Sequence, residues 1–370
     1  LVVEFKDELD ALGVKVDELD SRVAVLEEGV GGWKLGGEFR FDAKWGDTQK
    51  AAAPPYSLSG GSKTDFTMSR YRLHFWKTID DKVKFYGRYT AADSGATMSN
   101  GAMAWDRYLL TVSMPWDITM VVGLYNMDWE ADDGLYVGDN DAFVTDLTER
   151  GFHFTKDFSM GKFQWFVNHV ETSATANEYY RYGARVKFNF NEQFSLALNY
   201  MNQDFFGVTA DQKYYWANAQ VNFTPDVAVK AAYYKDDTSS ANAWKAIVDV
   251  NQNAFGFTSL WLEYAQIDAG FANTFNTAAY DWIANNSYGF GGSADVTVWN
   301  IYAAQKWNDK WTTWVRYVKI DEAARDAKNW TAAVKYFYTP ALSFELAYDK
   351  YDSSAGTDEN LIRFRTYVSF

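Results

Sequence analysis

Residues 32–45, GWKLGGEFRFDAKW, decide the fold. Trp33, Leu35, Gly37, Phe39, Phe41, Ala43 and Trp45 share one face, while Lys34, Gly36, Glu38, Arg40, Asp42 and Lys44 share the other. A period of two over this length predicts a strand with one apolar and one charged face. Trp stands at both ends of the apolar face, and the same plan recurs to the last residue. The strand therefore reads as one stave of a wall that is greasy outside and wet inside.

Composition agrees. Aromatic residues make up 18% of the 370, with 16 Trp, 25 Tyr and 27 Phe, which suits a protein needing rings at two membrane interfaces. Mean hydropathy is −0.36, and no apolar run reaches the roughly 18 residues of a transmembrane helix. Alternation hides a β-barrel from such a scan, because half of each strand is polar. The net charge of −14 argues against nucleic acid as a partner. The absence of Cys removes disulfides and thiol catalysis. His74, His153 and His169 show no ligand spacing, so neither metal nor cofactor is expected. With no signal peptide in view, the chain is expected to begin after processing or as a fragment.

Residues 1–29 read as a helix. Val2, Leu9, Val16 and Val23 fall at heptad position a, and Phe5, Leu12, Leu19 and Leu26 at d. The g-to-e′ pairs of a parallel arrangement, Lys15 with Asp20 and Arg22 with Glu27, are attractive, so a parallel coiled-coil stalk is expected. Val at a with Leu at d leans towards a dimer; an amphipathic helix docked on its own barrel is the alternative. Gly29, Gly31 and Gly32 then end the helix.

Residues 32–370 read as about eighteen strands and no helix; merging two weak segments would give sixteen. Every second connection is a tight turn, such as 79–82, 191–193, 252–255, 307–310 and 339–341. The intervening ones are longer and polar, notably 46–64, 126–148 and 269–293. Short turns on one rim and long loops on the other define an all-β, antiparallel up-and-down barrel of the transmembrane type, its short rim periplasmic. So many strands demand closure, since open sheets would leave edges to aggregate.

Three features set the expected site. Lumen-facing cations gather on the early strands as Arg40, Arg70, Arg72, Arg88 and Arg107, with Arg363 and Arg365 added by the last strand. The connection after the fifth strand is acidic, carrying Asp128, Glu130, Asp132, Asp133, Asp139, Asp141 and Asp146. The fifth strand, 118–125, is apolar on both faces and needs a cover. A loop folded inward, with Leu135, Tyr136, Val137 and Phe143 on that strand, would supply it. Carboxylates would then face guanidiniums across a narrow gap, and the resulting field would favour small polar solutes. The alternative pairs the arginines with Asp and Glu on neighbouring strands and leaves the acidic loop in solvent.

The heptad segment VVEFKDELDALGVKVDELDSRVAVLEE, the glycine break, WKLGGEFRFDAKW and a final strand ending YVSF at Phe370 together resemble the OmpM-type outer-membrane porins of Gram-negative Firmicutes. The resemblance implies a homotrimer of barrels on a periplasmic parallel coiled coil, set among outer-membrane lipid and lipopolysaccharide. It also implies passive diffusion of small hydrophilic solutes and a tether to peptidoglycan through an S-layer homology domain, which these 370 residues do not contain. The third external loop narrows such pores, and 126–148 holds that place. A substrate-selective, sugar-type channel is the nearest alternative, with Trp216 and Trp314 as lumen-facing aromatics by parity. No enzyme is expected, for no nucleophile elbow or metal motif is present. A soluble fibre or adhesin on a coiled-coil stalk is the remaining class.

Overall fold

The computed structural model describes residues 31–46, 63–91, 103–138, 141–171, 178–207, 210–271, 280, 292, 294–323, 325–354 and 359–370. The expected coiled coil, Val2 to Leu26, lies outside them, as does Asp139. The described residues form one sheet of eighteen strands. In chain order these are β1 (Trp33–Gly46), β2 (Thr64–Thr78), β3 (Val83–Ala91), β4 (Ala104–Met114), β5 (Ile118–Met127) and β6 (Leu147–Phe158). Next come β7 (Gly161–Val170), β8 (Tyr179–Asn189), β9 (Phe194–Phe205), β10 (Gln212–Thr224), β11 (Val227–Asp236) and β12 (Asn242–Val250). The last six are β13 (Ser259–Ile267), β14 (Val296–Lys306), β15 (Trp311–Glu322), β16 (Arg325–Phe337), β17 (Leu342–Ser353) and β18 (Glu359–Ser369).

Each strand pairs antiparallel with its sequence neighbours, and β1 pairs with β18 from Glu38↔Ser369 to Gly46↔Leu361, so the sheet closes. The seam ends in two backbone bonds: Gly37 N–H donates to Phe370 O at 2.7 Å, and Phe370 N–H donates to Gly37 O at 2.9 Å. A Cβ on Gly37 would stand 2.5 Å from the Phe370 ring, so glycine is what admits that ring to the seam. On the lumen side Arg365 donates to both oxygens of Asp42, at 2.6 and 2.7 Å, tying β18 to β1 a second time.

The tight turns share one device. Asp80, Asn191 and Asn308 each accept two backbone N–H groups, two and three residues ahead, and Thr339 does the same. That local bond satisfies the donors a two-stranded turn leaves over. Two connections depart from the expectation of no helix. Trp129–Asp132 is a one-turn helix, α1, and Gln252–Phe255 another, α2. Four residues are too few to show a helical period. Their caps are local: the Asp128 carboxylate on α1, and Gly256 at φ 72° after α2.

Outward faces carry exposed Leu198, Val315, Leu346, Ile362 and Phe364 between two belts of rings. Phe190, Phe223, Phe255, Trp307, Tyr338 and Phe370 stand exposed at the short-turn rim, and Trp45, Trp105, Tyr233, Trp244, Trp299 and Trp330 towards the other. An apolar band between aromatic belts is the surface a bilayer demands of a barrel. No described helix is long and apolar enough to cross a membrane.

Among the described residues the pairing shifts register at three places; one lies between Asn222 and Thr224 of β10, and the other two are bulges on the basic wall. Between Arg40↔Arg70 and Phe41↔Met68, Ser69 is the extra residue. Between Arg88↔Arg107 and Tyr89↔Trp105, it is Asp106. Each bulge re-aims a polar side chain onto an arginine: Arg40 Nε donates to Ser69 Oγ at 2.8 Å, and Arg88 Nε lies 2.9 Å from both Asp106 oxygens.

Gly123 on β5 has φ 130°, and a Cβ there would lie 2.2 Å from the Tyr108 carbonyl, whereas Gly256 has φ 72° with nothing within 4 Å. Gly123→Ala is expected to lower stability by several kcal/mol, about 1–3 from backbone strain plus the clash. Gly256→Ala should cost about 1. Urea midpoints, read from the heat-modifiable mobility of unboiled protein on gels, check the order.

Candidate functional site

The connection between β5 and β6 turns into the barrel. Its apolar side chains vanish from solvent: Trp129 and Leu135 are 1% exposed, Phe143 and Val144 0%. Trp129 packs edge-on against Phe166 of β7, with ring centroids 5.4 Å apart, and 5.8 Å from Trp216 of β10. Phe143 meets Tyr234 of β11 at 5.2 Å and Tyr280, from the connection after β13, at 6.1 Å. Burial of Leu135 and Phe143 matches the expected inward fold. The cover reaches β5, whose Tyr125 and Met127 belong to the same apolar cluster and whose Val121 packs against it, but extends well beyond that strand to the β7–β13 side.

Charge explains the choice of wall. The loop carries carboxylates that lose water on entering, and these need donors. Glu130, fully buried, accepts from the backbone N–H groups of Phe143, Val144 and Thr145 at 2.7–2.9 Å and from the Tyr234 hydroxyl at 2.7 Å. The Lys245 ammonium of β12 sits 3.8 Å away, over the Phe143 ring at 4.2 Å. Asp133 takes Arg185 and Lys187 of β8 and Asn218 of β10. Asp132, half exposed, also meets Arg185, at 3.4 Å. Asp141 pairs with Arg316 of β15 at 2.8 Å, both side chains buried, and accepts from Tyr280 N–H at 2.8 Å. Lys230 of β11 donates to Gly134 O at 2.8 Å and to Asp249 at 2.9 Å. Asp128 caps α1 through Ala131 N–H at 2.9 Å and accepts from the Tyr136 hydroxyl. Asp146 accepts from Asn126 at 3.3 Å.

All but Arg107 of the arginines expected to face this loop hold other partners. Glu38 takes Arg72 at 2.9 Å and Arg70 at 3.8 Å. Arg363 pairs with Glu345 at 2.6 Å, Arg365 with Asp42, Arg88 with Asp106, and Arg40 with Ser69. The pairing between neighbouring strands therefore applies to most of this wall, and the inward fold applies to the loop. The cations that hold the loop are Arg185, Lys187, Lys230, Lys245 and Arg316, none of them singled out in the sequence. The parity rule that found Arg40 places these five in the lumen as well. What the sequence lacks is any sign of which wall the loop would choose.

Asp128 gives the loop a pH dependence. Burial first, then the neighbouring charges of Glu130 and Asp146, raise its carboxyl to about 6, against the pull of Tyr136 and the Ala131 N–H. A carboxyl whose folded pKa is raised favours the closed loop fully below its unfolded value near 4, and that contribution is lost as pH rises through about 6. Chymotrypsin cleavage at Leu135, Tyr136 and Phe143, normalised to a free peptide of the same sequence, is expected to speed up between pH 5 and pH 7. In Asp128→Asn, which keeps the cap, the profile should be flat. At fixed pH, Glu130→Ala leaves four buried donors unpaired, and cleavage should rise by a factor of about 10 or more.

No known family profile and no curated protein matches the sequence. Solved structures do. OprD of Pseudomonas aeruginosa is 12% identical, with 91% of this chain and 95% of that one aligned at a TM-score of 0.58. OccAB4 of Acinetobacter baumannii is also 12% identical, over 91% and 98%, at 0.59. Wzi of Escherichia coli, a carbohydrate-binding outer-membrane barrel involved in group 1 capsule assembly, is 10% identical over 96% and 87%, at 0.56. At such identities the likeness is one of fold, and the narrower OmpM-type resemblance gains no member among these three. The chain thus shares the closed barrel fold of outer-membrane proteins.

Proposed function

We propose that the chain is an outer-membrane diffusion channel for small hydrophilic solutes and ions. One observation carries the reading: a loop folded into a closed, charge-lined barrel and strapped to one wall. A narrowed lumen with polar walls filters by size and charge, and no bond is made or broken. The loop occupies the side of β7–β15, so the path runs along the wall of β16–β18 and β1–β4. Most charges there are paired with neighbours. The transverse field then reduces to the less neutralised groups, Asp132 on the loop and Arg107 on the wall. The outer surface, apolar between aromatic belts, supports outer-membrane lipid and lipopolysaccharide as its surroundings. Trimerisation through residues 1–29 in the periplasm, and a peptidoglycan tether through an S-layer homology domain, belong to the same reading and rest on the OmpM resemblance.

A substrate-selective channel is the second reading. Trp314 of β15 and Tyr302 of β14 lie in the lumen with centroids 6.1 Å apart, and Trp314 Nε1 donates to Glu345 at 3.1 Å. Trp216, by contrast, is 3% exposed beneath the loop and offers no face to a solute.

Detergent-purified, unboiled protein in a planar bilayer under a salt gradient should give discrete conductance steps, grouped in threes if the trimer forms. Arg107→Glu should move the reversal potential towards cation preference. Folded protein without conductance would refute the channel, and single steps would refute the trimer alone.

A further inference from the structure

The connection after β13 sends Tyr280 into the socket of the loop. The residue is 4% exposed, and its backbone stands at φ 60°, in the left-handed region that a bulky side chain rarely enters. Such a conformation persists only where the surroundings over-determine it. Two bonds do so here. The Tyr280 N–H donates to Asp141 Oδ1 at 2.8 Å, and the hydroxyl donates to Glu263 Oε1 of β13 at 2.8 Å.

Those two bonds close a ring. Arg316 Nη2 of β15 donates to Asp141 Oδ2 at 2.8 Å, Arg316 Nε donates to Asn300 Oδ1 of β14 at 2.8 Å, and Asn300 Nδ2 donates to Glu263 Oε2 at 3.1 Å. None of the five residues is more than 4% exposed. A guanidinium can only donate, so Asn300 turns its oxygen to Arg316 and its amide to Glu263, and the ring has one sense. Three adjacent strands and two connections thus meet in it. Asp141 has the Arg316 charge as a partner. Glu263 has no ion pair among the described residues, and rests on three neutral donors: Tyr280, Asn300 and Trp261 Nε1 at 3.0 Å. Losing one of the three leaves a buried carboxylate short of a bond, the costly kind of deletion.

Position gives the ring its consequence. Of the five cations that hold the loop, Arg316 stands on the strand nearest the open wall, opposite Thr331 of β16. Asp141 is therefore the attachment of the loop at the margin of the passage. Phe143, two residues on, meets the Tyr280 ring edge-on at 6.1 Å. Whatever holds these two residues sets how far the loop reaches towards β16.

We propose that Tyr280 is a positioning residue for the passage: by linking Asp141 to Glu263 it fixes the margin of the loop, and with it the largest solute that passes. The proposal deepens the channel reading and rests on it for what passes, not for the link itself.

Polymer exclusion in single-channel recordings, with polyethylene glycols of graded mass, measures the passage; chymotrypsin cleavage at Phe143, read by mass spectrometry, measures the loop. Tyr280→Phe keeps the ring and the N–H bond and removes only the hydroxyl. It is expected to admit a larger polymer than the native chain and to speed cleavage about 10-fold, the equivalent of one hydrogen bond to a charged group. In a Glu263→Ala background the hydroxyl has no acceptor, so Tyr280→Phe should add less than about 2-fold. Gly256→Ala, a mild weakening of the barrel far from the loop, should change neither readout, and heat-modifiable mobility shows that each variant has folded. If Glu263→Ala does not fold, Tyr280→Phe and Gly256→Ala decide alone. Native exclusion in Tyr280→Phe, an equal shift in Gly256→Ala, or a full 10-fold effect of Tyr280→Phe on top of Glu263→Ala overturns the proposal. Cleavage needs no current, so a barrel that never conducts while Tyr280→Phe speeds cleavage would refute the channel and keep the link. A conducting barrel whose exclusion ignores Tyr280 would refute the positioning role and keep the channel.

Discussion

Inside hydrocarbon no backbone N–H or C=O can be left without a partner, and everything in this fold follows from meeting that condition. Eighteen strands meet it only if the first joins the last. The join is held at the short-turn end, where Gly37 exchanges backbone bonds with Phe370, and at mid-seam, where Asp42 holds Arg365. Closure is thus the last contact in sequence distance and the one on which every other strand relies. It also creates an enclosed interior in which side chains must find water or each other.

Two solutions to that second problem share the lumen. Along β16–β18 and β1–β4, charge is settled locally, between strands that touch. On the other side it is settled at long range, by a loop that brings its own carboxylates to waiting cations. Glu130 and Tyr234 are 104 residues apart, and Asp141 and Arg316 are 175. A buried ion pair of this kind adds little net stability against an apolar isostere, yet breaking one partner is costly. Its contribution is therefore one of placement. It allows the loop one position rather than several, and so fixes the width of the passage beside it.

The staves were legible because alternation is a local signal: β1, β17 and β18 announce their faces within ten or so residues, and the strand number follows from counting turns. The inward loop was legible too, from an acidic, aromatic connection placed after a doubly apolar strand. Its seat was not. Arg185, Lys187, Lys230, Lys245 and Arg316 alternate like any lumen residue, and only the closed ring shows that they share a side. α1 was hidden by its four residues, although Asp128 followed by Glu130 is a legible N-terminal pattern. The bulges at Ser69 and Asp106 left no trace, since an extra residue in a strand changes no composition. They matter most for the arginines, because they decide which guanidinium receives a counter-charge and which does not.

The bulge at Ser69 also makes β2 two half-strands of opposite parity. Asp65 and Thr67 point inward at odd numbers, and Arg70, Arg72 and His74 at even ones. The bulge is thus a phase correction: it sets Ser69 outside the pairing and keeps the charges on either side of it facing inward. Were Ser69 instead drawn into regular pairing, with no bulge, both halves would stay chemically intact while one of them turned inside out. Charged groups would then enter lipid, at about 2–4 kcal/mol for each arginine near the midplane. In such a wall a strand can carry an odd residue only where a bulge absorbs it.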